Sequence, residues 1–330
     1  MQIFIDESGS FSGFHEGSIA VVGGLSIPDS KMPMLLKKYS KIRQSLPVER
    51  AEVKGRKLTE SQIAKIVALL ARNEAILEIS VLDLAAHNST GVSRYRDTLA
   101  EDMTARLSRF NKDAQKEVRE AIVQIRKTPV PLFLQAMATF DMLSNVISHV
   151  PLYFAQRQPK ELGSFSWVVD GKNPARITDW EIWWSWHAMG ALATRSKSNP
   201  MPALEGADYT YFDRFEGKDK QGNRIGTDLK LLLSNLRFSA EPEPGLELVD
   251  IVTNAVRRAL TGRLDYTGWS EIPRLMIHRR DQYLSLMLLE SASKEPRHPP
   301  YEDVIKHFRS GGKSMLSPRF LRMADEEDID

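Results

Sequence analysis

The sequence contains no cysteine. This absence excludes disulfides, thiolate nucleophiles and Cys-ligated zinc. Any metal site must therefore use carboxylates, imidazoles and water, a donor set that favours hard cations such as Mg²⁺ or Mn²⁺. The seven histidines show no metal-ligand spacing, so carboxylates are the main candidate ligands.

Long apolar runs are also lacking. No uninterrupted run approaches the roughly 20 residues that a membrane-spanning helix needs. Residues 1–5 lack the basic start and the long apolar core of a secretory signal. We therefore expect a cytoplasmic protein with no membrane partner.

A strong net charge and the common nucleotide motifs are missing as well. The formal net charge is +2, so a basic surface for a polyanionic partner would have to be local. The sequence has no phosphate loop, dinucleotide fingerprint or Ser-His-Asp arrangement. The acidic residues are therefore the main source of candidate chemistry.

The order of strand-like and helix-like segments predicts one α/β domain. Residues 3–5 form a short apolar strand that stops at Asp6, and residues 18–27 form a second strand that would pair with it as a hairpin. Strand patterns return at 75–86 and 164–169, with amphipathic helices between them. This alternation predicts a mixed β-sheet flanked by helices.

The middle of the chain is predicted to be helical. The helical pattern continues from about residue 88 to residue 160, and we interpret this stretch as a helical insertion within a single domain of residues 1–310. Three prolines are expected to break it into pieces: Pro129, Pro131 and Pro151. Residues 311–330 form a polar, acidic C-terminal tail, and we expect its acidic end at 325–330 to be frayed and solvated.

Weaker patterns give further predictions for the second half of the chain. A tryptophan-rich helix begins near Thr178, and the clearest helix covers residues 246–261. We also predict a strand at 208–212, a polar loop at 217–226, and either a strand or a short helix at 231–238.

Several acids fall at strand ends or on a helix. Asp6 and Glu7 end the first strand, Asp170 ends a later one, and Glu52 lies in the loop before the second helix. Asp250 lies within an apolar helix, where a charge is expensive to bury unless a cation or partner compensates it. Three or four such carboxylates can hold two divalent ions ~4 Å apart, one activating water and the other stabilising the leaving oxygen. We therefore hypothesise a metal-dependent phosphodiester-cleaving site.

Strand alternation separates the two adjacent acids of this hypothesis. Asp6 and Glu7 would point to opposite faces of the sheet, so both cannot easily serve the same ion. Asp6 is therefore the expected metal ligand, and Glu7 is an accessory residue.

Each acid also has a purely structural interpretation. Asp6 and Asp170 could be turn residues, and Glu7 could be a solvated loop acid. Glu52 could form a surface ion pair with Lys54 that contributes little. Asp250 is the hardest to explain in this way, because its neighbours in the sequence are all apolar.

Taken together, the motifs resemble a known family. Residues 3–9, Ile-Phe-Ile-Asp-Glu-Ser-Gly, look like the opening of the domain of unknown function 3800 family, and residues 52–55 are similar to its Glu-x-Lys-Gly element. Residues 244–250 resemble its C-terminal signature Pro-Gly-Leu-Gln-Leu-Ala-Asp, with Glu247 and Val249 where the family more often has Gln and Ala. The resemblance covers nearly the whole chain apart from the helical insertion and the tail.

The resemblance implies a ribonuclease H-like fold and a metal-dependent nuclease that acts on DNA or RNA. Such proteins occur in bacteria, phages and mobile elements. Glu7 would be accessory, and Lys54 would contact a phosphate or orient Glu52. The metal-binding and catalytic acids, with Mg²⁺ or Mn²⁺ as cofactor, would be Asp6, Glu52, Asp170 and Asp250.

Two other functions stay open. The same fold could serve as a non-catalytic scaffold that binds nucleic acid or protein, for example in phage defence or a mobile element. A carboxylate-pair hydrolase acting on sugars would need two acids at glycosidase separations and an open, aromatic-lined pocket.

Three further features have competing interpretations. The four tryptophans between residues 180 and 186 could stack on bases, but their helical spacing favours a place in the core. His15 could help to activate water. The pairs Arg257-Arg258 and Arg279-Arg280 could follow a phosphate backbone, although charged helix faces are usually only solvated.

Overall fold

A computed structural model of the chain describes residues 1–109, 112–171, 173, 177–184, 192, 196, 203–218, 221–222, 224–278, 285–289 and 301–327. Trp186 and the pair Arg279-Arg280 lie outside the described residues.

The strands are β1 (Gln2–Ser8), β2 (Ile19–Ile27), β3 (Val48–Glu49), β4 (Glu52–Val53), β5 (Ile76–Asp83), β6 (Ser166–Asp170), β7 (Glu216–Lys218), β8 (Arg224–Thr227), β9 (Leu236–Ser239), β10 (Ile277–His278), β11 (Ser285–Met287) and β12 (Lys313–Ser314). The helices are α1 (Met32–Arg43), α2 (Glu60–Arg72), α3 (Ser89–Ala105), α4 (Lys112–Lys127), α5 (Val130–Ala155), α6 (Asp179–Trp183), α7 (Leu229–Leu232), α8 (Pro244–Leu260), α9 (Tyr266–Trp269), α10 (Glu302–Ser310) and α11 (Pro318–Glu327).

Six strands form a central mixed sheet in the order β11-β5-β2-β1-β6-β9. The antiparallel β1–β2 hairpin opens the chain, as predicted, and β2 is also antiparallel to β5. Strands β1, β6 and β9 run parallel to one another. Their carboxyl ends therefore meet at one edge of the sheet, which is where open α/β sheets commonly bind ligands. The predicted mixed sheet flanked by helices is confirmed.

Helices cover both faces of the sheet and create two core layers. Phe4 of β1 packs in the layer that contains α1, α2 and α8. Ile5, the next residue of β1, packs in the layer that contains α5. Because side chains alternate along a strand, Asp6 lies on the α8 face of the sheet and Glu7 lies on the α5 face.

The prediction that prolines break the helical stretch is confirmed at Pro129, which lies between the end of α4 and the start of α5, and is wrong at Pro151, because α5 is one continuous helix of 26 residues. Pro129 is its N-cap residue, and Pro131 lies in the first turn, where a missing N–H leaves no bond unmade. Pro151 lies inside the helix and is buried. Its lost hydrogen bond is offset by apolar packing against the sheet.

The sequence analysis predicted no segment apolar enough to span a membrane, and helix α5 differs from that prediction. Among the described residues it is the one helix long and apolar enough to cross a membrane, and 56% of its most apolar window is buried inside the molecule. The buried core helix of a soluble protein passes the same test, so α5 is no evidence of membrane association.

Several predicted boundaries are corrected by the structure. β1 extends to Ser8, so Asp6 and Glu7 lie within the strand and not beyond it. Residues 208–212 form turns instead of a strand, and the segment predicted as a polar loop at 217–226 contains most of the β7–β8 hairpin. Residues 231–238 contain the end of a short helix and then a strand.

Helix starts were predicted more accurately than these short strands. Thr59 and Gln62 form the expected capping box of α2. Thr178 caps α6 together with Glu181. In the tail, α11 covers Pro318–Glu327 and buries Phe320, a helix that the sequence did not predict. The low average apolar content of the tail conceals an amphipathic helix.

Candidate active site

One cavity brings the predicted acids together. It has a volume of about 360 Å³ and lies at the carboxyl edge of β1 and β6. The residues that line it include every predicted site residue: Asp6, Glu7, Glu52, Lys54, Asp170 and Asp250. These residues come from β1, β4, β6 and α8 and from the position that follows β4, so only the folded chain brings them together.

Asp6 and Asp170 lie on neighbouring parallel strands. The pairing of β1 with β6 ends at the residue before each acid, so the same register continued by one residue places the two acids side by side. Neighbouring strands are about 4.8 Å apart. Phe4 and Val168, two residues earlier in the two strands, both pack in the α8 layer. Asp6 and Asp170 therefore share the α8 face of the sheet.

Asp250 reaches the cavity from α8 and is half-buried. Its Oδ2 accepts a hydrogen bond of 2.7 Å from the Gly55 N–H. Burial raises the pKa of Asp250, the Gly55 N–H and Lys54 lower it, and the Asp170 and Glu52 carboxylates raise it again; the net result is a pKa above the ordinary value. Negative charges are therefore crowded in this cavity, which favours a compensating cation.

Glu52 is presented by the β3–β4 hairpin and not by an irregular loop as expected. The two turn residues, Arg50 and Ala51, have φ angles of 51° and 68°. This left-handed conformation is what a type I′ turn requires. The turn places Glu52 at the start of β4, on the wall of the cavity.

Lys54 is the cation in the cavity wall that pairs with one of the predicted acids. Its Nζ forms an ion pair with the Glu52 carboxylate. Burial works to lower the pKa of Lys54, but the Glu52 contact and the charges of Asp250 and Asp6 outweigh burial and raise it. A lysine in this position stays protonated and offsets part of the acidic charge.

Glu247 fastens the Glu52 hairpin to α8, a role that the sequence did not predict. Its carboxylate accepts hydrogen bonds from Arg43 at 2.7 and 2.8 Å, from the Tyr39 hydroxyl at 2.9 Å and from the Val53 N–H at 3.0 Å. Burial works to raise the pKa of Glu247, but these hydrogen bonds outweigh it and lower the pKa below its ordinary value. Glu247 is thus a buried carboxylate that is kept ionised.

Gly55 allows this hairpin to approach α8 closely. A Cβ atom at Gly55 would lie 2.8 Å from the Ile251 Cα and 3.0 Å from the Asp250 carbonyl oxygen, and both are backbone atoms that cannot easily move. We expect Gly55→Ala to lower the free energy of unfolding by about 1–3 kcal/mol, as overpacking does, and to push Lys54 away from the acids.

Urea denaturation would measure this effect, with Gly163→Ala as the matched control. A Cβ at Gly163 meets only the Tyr211 ring, at 3.6 Å, so we expect a much smaller change in stability there. Equal stabilities for the two variants would contradict the close packing of Gly55 on α8.

A polar stripe runs along α8 and consists of Glu247, Asp250, Asn254 and Arg257. Their spacing of three, four and three residues places them on one face of the helix, and all four line the cavity. The sequence hypothesis placed Asp250 in the acidic site and considered Arg257 only as a contact to a phosphate backbone. The periodic polar residues in an otherwise buried and largely apolar helix were the signal that could have identified Glu247 and Asn254 as well.

The remaining candidates are not part of the acidic cluster. His15 is exposed and absent from the cavity lining. Trp180 and Trp184 are only 4% and 2% exposed, which supports a core role over base stacking. Arg258 donates a hydrogen bond of 2.8 Å to the Leu58 carbonyl oxygen, so it is more than a solvated charge.

A sugar hydrolase would need an open pocket lined by aromatic rings. The described residues that line the cavity contribute no aromatic side chain. The structure therefore offers no support for this alternative.

The molecule is a mixed α/β protein with an acidic cavity at the carboxyl edge of its sheet. No protein-family model matches the chain, and no curated protein or solved structure matches it either. The family resemblance therefore rests on the sequence motifs alone.

The donor set of the cavity suits a hard divalent cation, since it consists of carboxylates. Within the part of the chain that the structure describes, no group of three or more His, Asp or Glu side chains is already arranged to hold a metal ion. The chemistry of the carboxylate ligands therefore fits Mg²⁺ or Mn²⁺. To coordinate such an ion, the carboxylates would have to move closer together than they are in this structure.

Proposed function

We propose that the protein is a metal-dependent nuclease with a ribonuclease H-like fold that hydrolyses phosphodiester bonds of DNA or RNA. The observation that carries this proposal is the convergence of Asp6, Glu52, Asp170 and Asp250, from four separate elements, on one cavity. Crowding this many carboxylates destabilises a fold unless a ligand compensates them. The initial hairpin, the mixed sheet, Asp6 within β1 and Asp170 at the end of β6 support the finer assignment of the fold.

The four acids would hold Mg²⁺ or Mn²⁺, which when bound supplies an activated water and stabilises the leaving oxygen. The chain itself provides the positioning. Pairing of β1 with β2 fixes the backbone of Asp6, pairing of β6 with β9 fixes that of Asp170, and the Gly55 N–H orients the Asp250 carboxylate. Lys54 is placed to contact a phosphate oxygen once Glu52 no longer pairs with it.

Asp6 and Glu7 should differ in their effect on cleavage, because they lie on opposite faces of β1. We expect Asp6→Asn to reduce the cleavage rate by roughly 10²–10³-fold, equivalent to about 3–4 kcal/mol of lost transition-state stabilisation. We expect Glu7→Gln to reduce it by less than about tenfold. Initial rates of oligonucleotide cleavage compare the two variants, and equal losses would contradict the assignment of Asp6 as the ligand.

The proposal is tested by incubating the protein with labelled single- and double-stranded DNA and RNA. The reactions contain Mg²⁺, Mn²⁺ or EDTA, and Asp6→Asn is run in parallel. We expect cleavage of at least one substrate with a divalent cation and none with EDTA. Activity that survives both EDTA and Asp6→Asn would disprove the metal mechanism.

A non-catalytic scaffold is the second candidate, and two observations favour it. Lys54 already pairs with Glu52, and among the described residues no group of acids is preformed around a metal position. In this case Lys54 would be a permanent structural cation. Isothermal titration that shows no Mn²⁺ binding, together with nucleic-acid binding in EDTA, would support the scaffold over the nuclease.

A further inference from the structure

Arg257 is a half-buried cation on the wall of the acidic cavity. Its Nε donates a hydrogen bond of 3.0 Å to the Ile19 carbonyl oxygen, which fixes the guanidinium. Within the described residues it forms no ion pair. Burial and the nearby charge of Arg263 lower its pKa, but a guanidinium stays charged at neutral pH. The cavity wall thus carries a fixed positive charge that no carboxylate of the described residues pairs with.

Asn254 lies one helical turn before Arg257 and is only 8% exposed. Its Nδ2 donates a hydrogen bond of 3.0 Å to the Ser8 hydroxyl, while its buried Oδ1 has no hydrogen-bond partner. An unsatisfied buried polar atom costs roughly 1–3 kcal/mol. Asn254 lines the cavity, so a ligand group is one partner that would satisfy its amide.

The Asn254 amide can also offer a donor to that ligand. The Ser8 hydroxyl can donate as well as accept, so the amide can turn by 180° and keep its hydrogen bond to Ser8. Its NH₂ group then replaces Oδ1 as the unpaired group. In this orientation the NH₂ group would be the donor available to an anion beside the Arg257 guanidinium.

Gly9 keeps the space next to Arg257 free. Its φ angle is +103°, and a Cβ atom there would lie 2.6 Å from the Ile19 carbonyl oxygen and 2.8 Å from the Arg257 Nε. Only glycine therefore allows the segment after β1 to pass this close to the hydrogen bond between Arg257 and Ile19. The backbone at Gly9 and Ile19 therefore fixes the position of the Arg257 side chain in the cavity wall.

We propose that Arg257 and Asn254 bind a phosphate of the nucleic-acid strand that flanks the phosphodiester held over the acids. This inference rests on the proposed function, because it assigns a second phosphate of the same substrate. Seven residues of α-helix separate Asp250 from Arg257, which is about 10 Å along the helix axis. The separation assigns Arg257 to a neighbouring phosphate and leaves the scissile one to the acids and Lys54.

The experiment measures binding without cleavage. Labelled single- and double-stranded DNA and RNA oligonucleotides are titrated with the full chain in EDTA, and fluorescence anisotropy gives the dissociation constants. We expect Arg257→Gln to weaken binding of the preferred oligonucleotide at least tenfold. Arg274→Gln is the matched control, because Arg274 is exposed, pairs with Glu271 and does not line the cavity.

Two further variants separate this inference from the proposed function. Asp6→Asn should bind at least as tightly as the unmodified chain, since it removes a negative charge, while cleavage with Mn²⁺ is lost. Arg257→Lys keeps the charge but not the planar fork, so its affinity should fall between those of the unmodified chain and Arg257→Gln. If Arg257→Gln unfolds, Asn254→Ala provides the same binding test.

The outcomes are distinct. Equal affinities for Arg257→Gln and Arg274→Gln, or no binding of any oligonucleotide by the unmodified chain, would overturn the phosphate site. Binding that depends on Arg257 without any cleavage in Mn²⁺ would support the site and overturn the nuclease proposal. Complete displacement of the oligonucleotide by millimolar inorganic phosphate would show that the site takes free phosphate and not a strand.

Discussion

Asp250→Asn is expected to reduce phosphodiester cleavage by about 10³-fold or more. The substitution removes one charged oxygen from the acidic cluster in the middle of α8. Ligands of a divalent cation contribute several kcal/mol to stabilising the transition state, and each 1.36 kcal/mol corresponds to a factor of ten in rate. Initial cleavage rates with Mn²⁺ measure the effect.

The same variant should not be less stable than the unmodified chain. The Asn oxygen can still accept the hydrogen bond from the Gly55 N–H. The pKa of Asp250 is raised in the fold, so the folded chain binds this proton more tightly than the unfolded chain does. The ionised carboxylate therefore destabilises the fold at neutral pH, and its removal relieves that cost.

A loss of activity without a loss of stability would separate chemistry from folding. Asp303→Asn is the matched control, because Asp303 is exposed on α10 and does not line the cavity. Cleavage by Asp250→Asn at the rate of Asp303→Asn would show that Asp250 has no catalytic role.

Glu247→Ala is expected to lower the free energy of unfolding by about 3 kcal/mol, the lower end of the cost of breaking a buried ion pair. The lower end applies because the Arg43 side chain is 33% exposed and part of its charge is solvated. The change leaves the Tyr39 hydroxyl and the Val53 N–H without the acceptor they have now. Urea denaturation measures the effect.

Glu247→Gln provides the finer test, because an amide oxygen can still accept hydrogen bonds. We expect a smaller loss of about 1–3 kcal/mol at neutral pH. The pKa of Glu247 is lowered from 4.5 in the fold, so its stabilising effect is present above pH 4.5 and is lost as the pH falls through the lowered folded value.

The difference in stability between the unmodified chain and Glu247→Gln should therefore shrink on acidification. Denaturation curves at pH 7 and near pH 3 test this expectation. A difference that is the same at both pH values, or absent at both, would contradict the ionised state of Glu247.

The sequence identified those parts of the site that depend on local patterns. Asp6 and Asp170 each follow a short apolar run in the sequence, and Asp250 interrupts an apolar helical pattern. Local sequence patterns were therefore enough to select these three acids. The structure brings all three to one cavity. Glu52 was included as an acid in the loop before the second helix, and its hairpin was missed because neither turn residue, Arg50 or Ala51, is the glycine or asparagine that indicates a left-handed turn.

The remaining features depend on contacts between residues that are distant in the sequence. Glu247 is ionised because of Arg43 and Tyr39, which belong to a different helix, and no local pattern contains that pairing. Arg257 enters the cavity because Ile19 of β2 accepts its hydrogen bond. Helix α5 survives Pro151 because it packs on the sheet, and this tertiary compensation overrides the local rule.

Direct titration of Mn²⁺ into the metal-free protein is the measurement closest to the central claim, that the four acids form one divalent-cation site. Isothermal titration calorimetry should show saturable binding to the unmodified chain and to Asp303→Asn. Binding should be lost or much weaker in Asp250→Asn and in Asp6→Asn. No saturable binding to the unmodified chain, or equal binding to Asp250→Asn and Asp303→Asn, would contradict the claim.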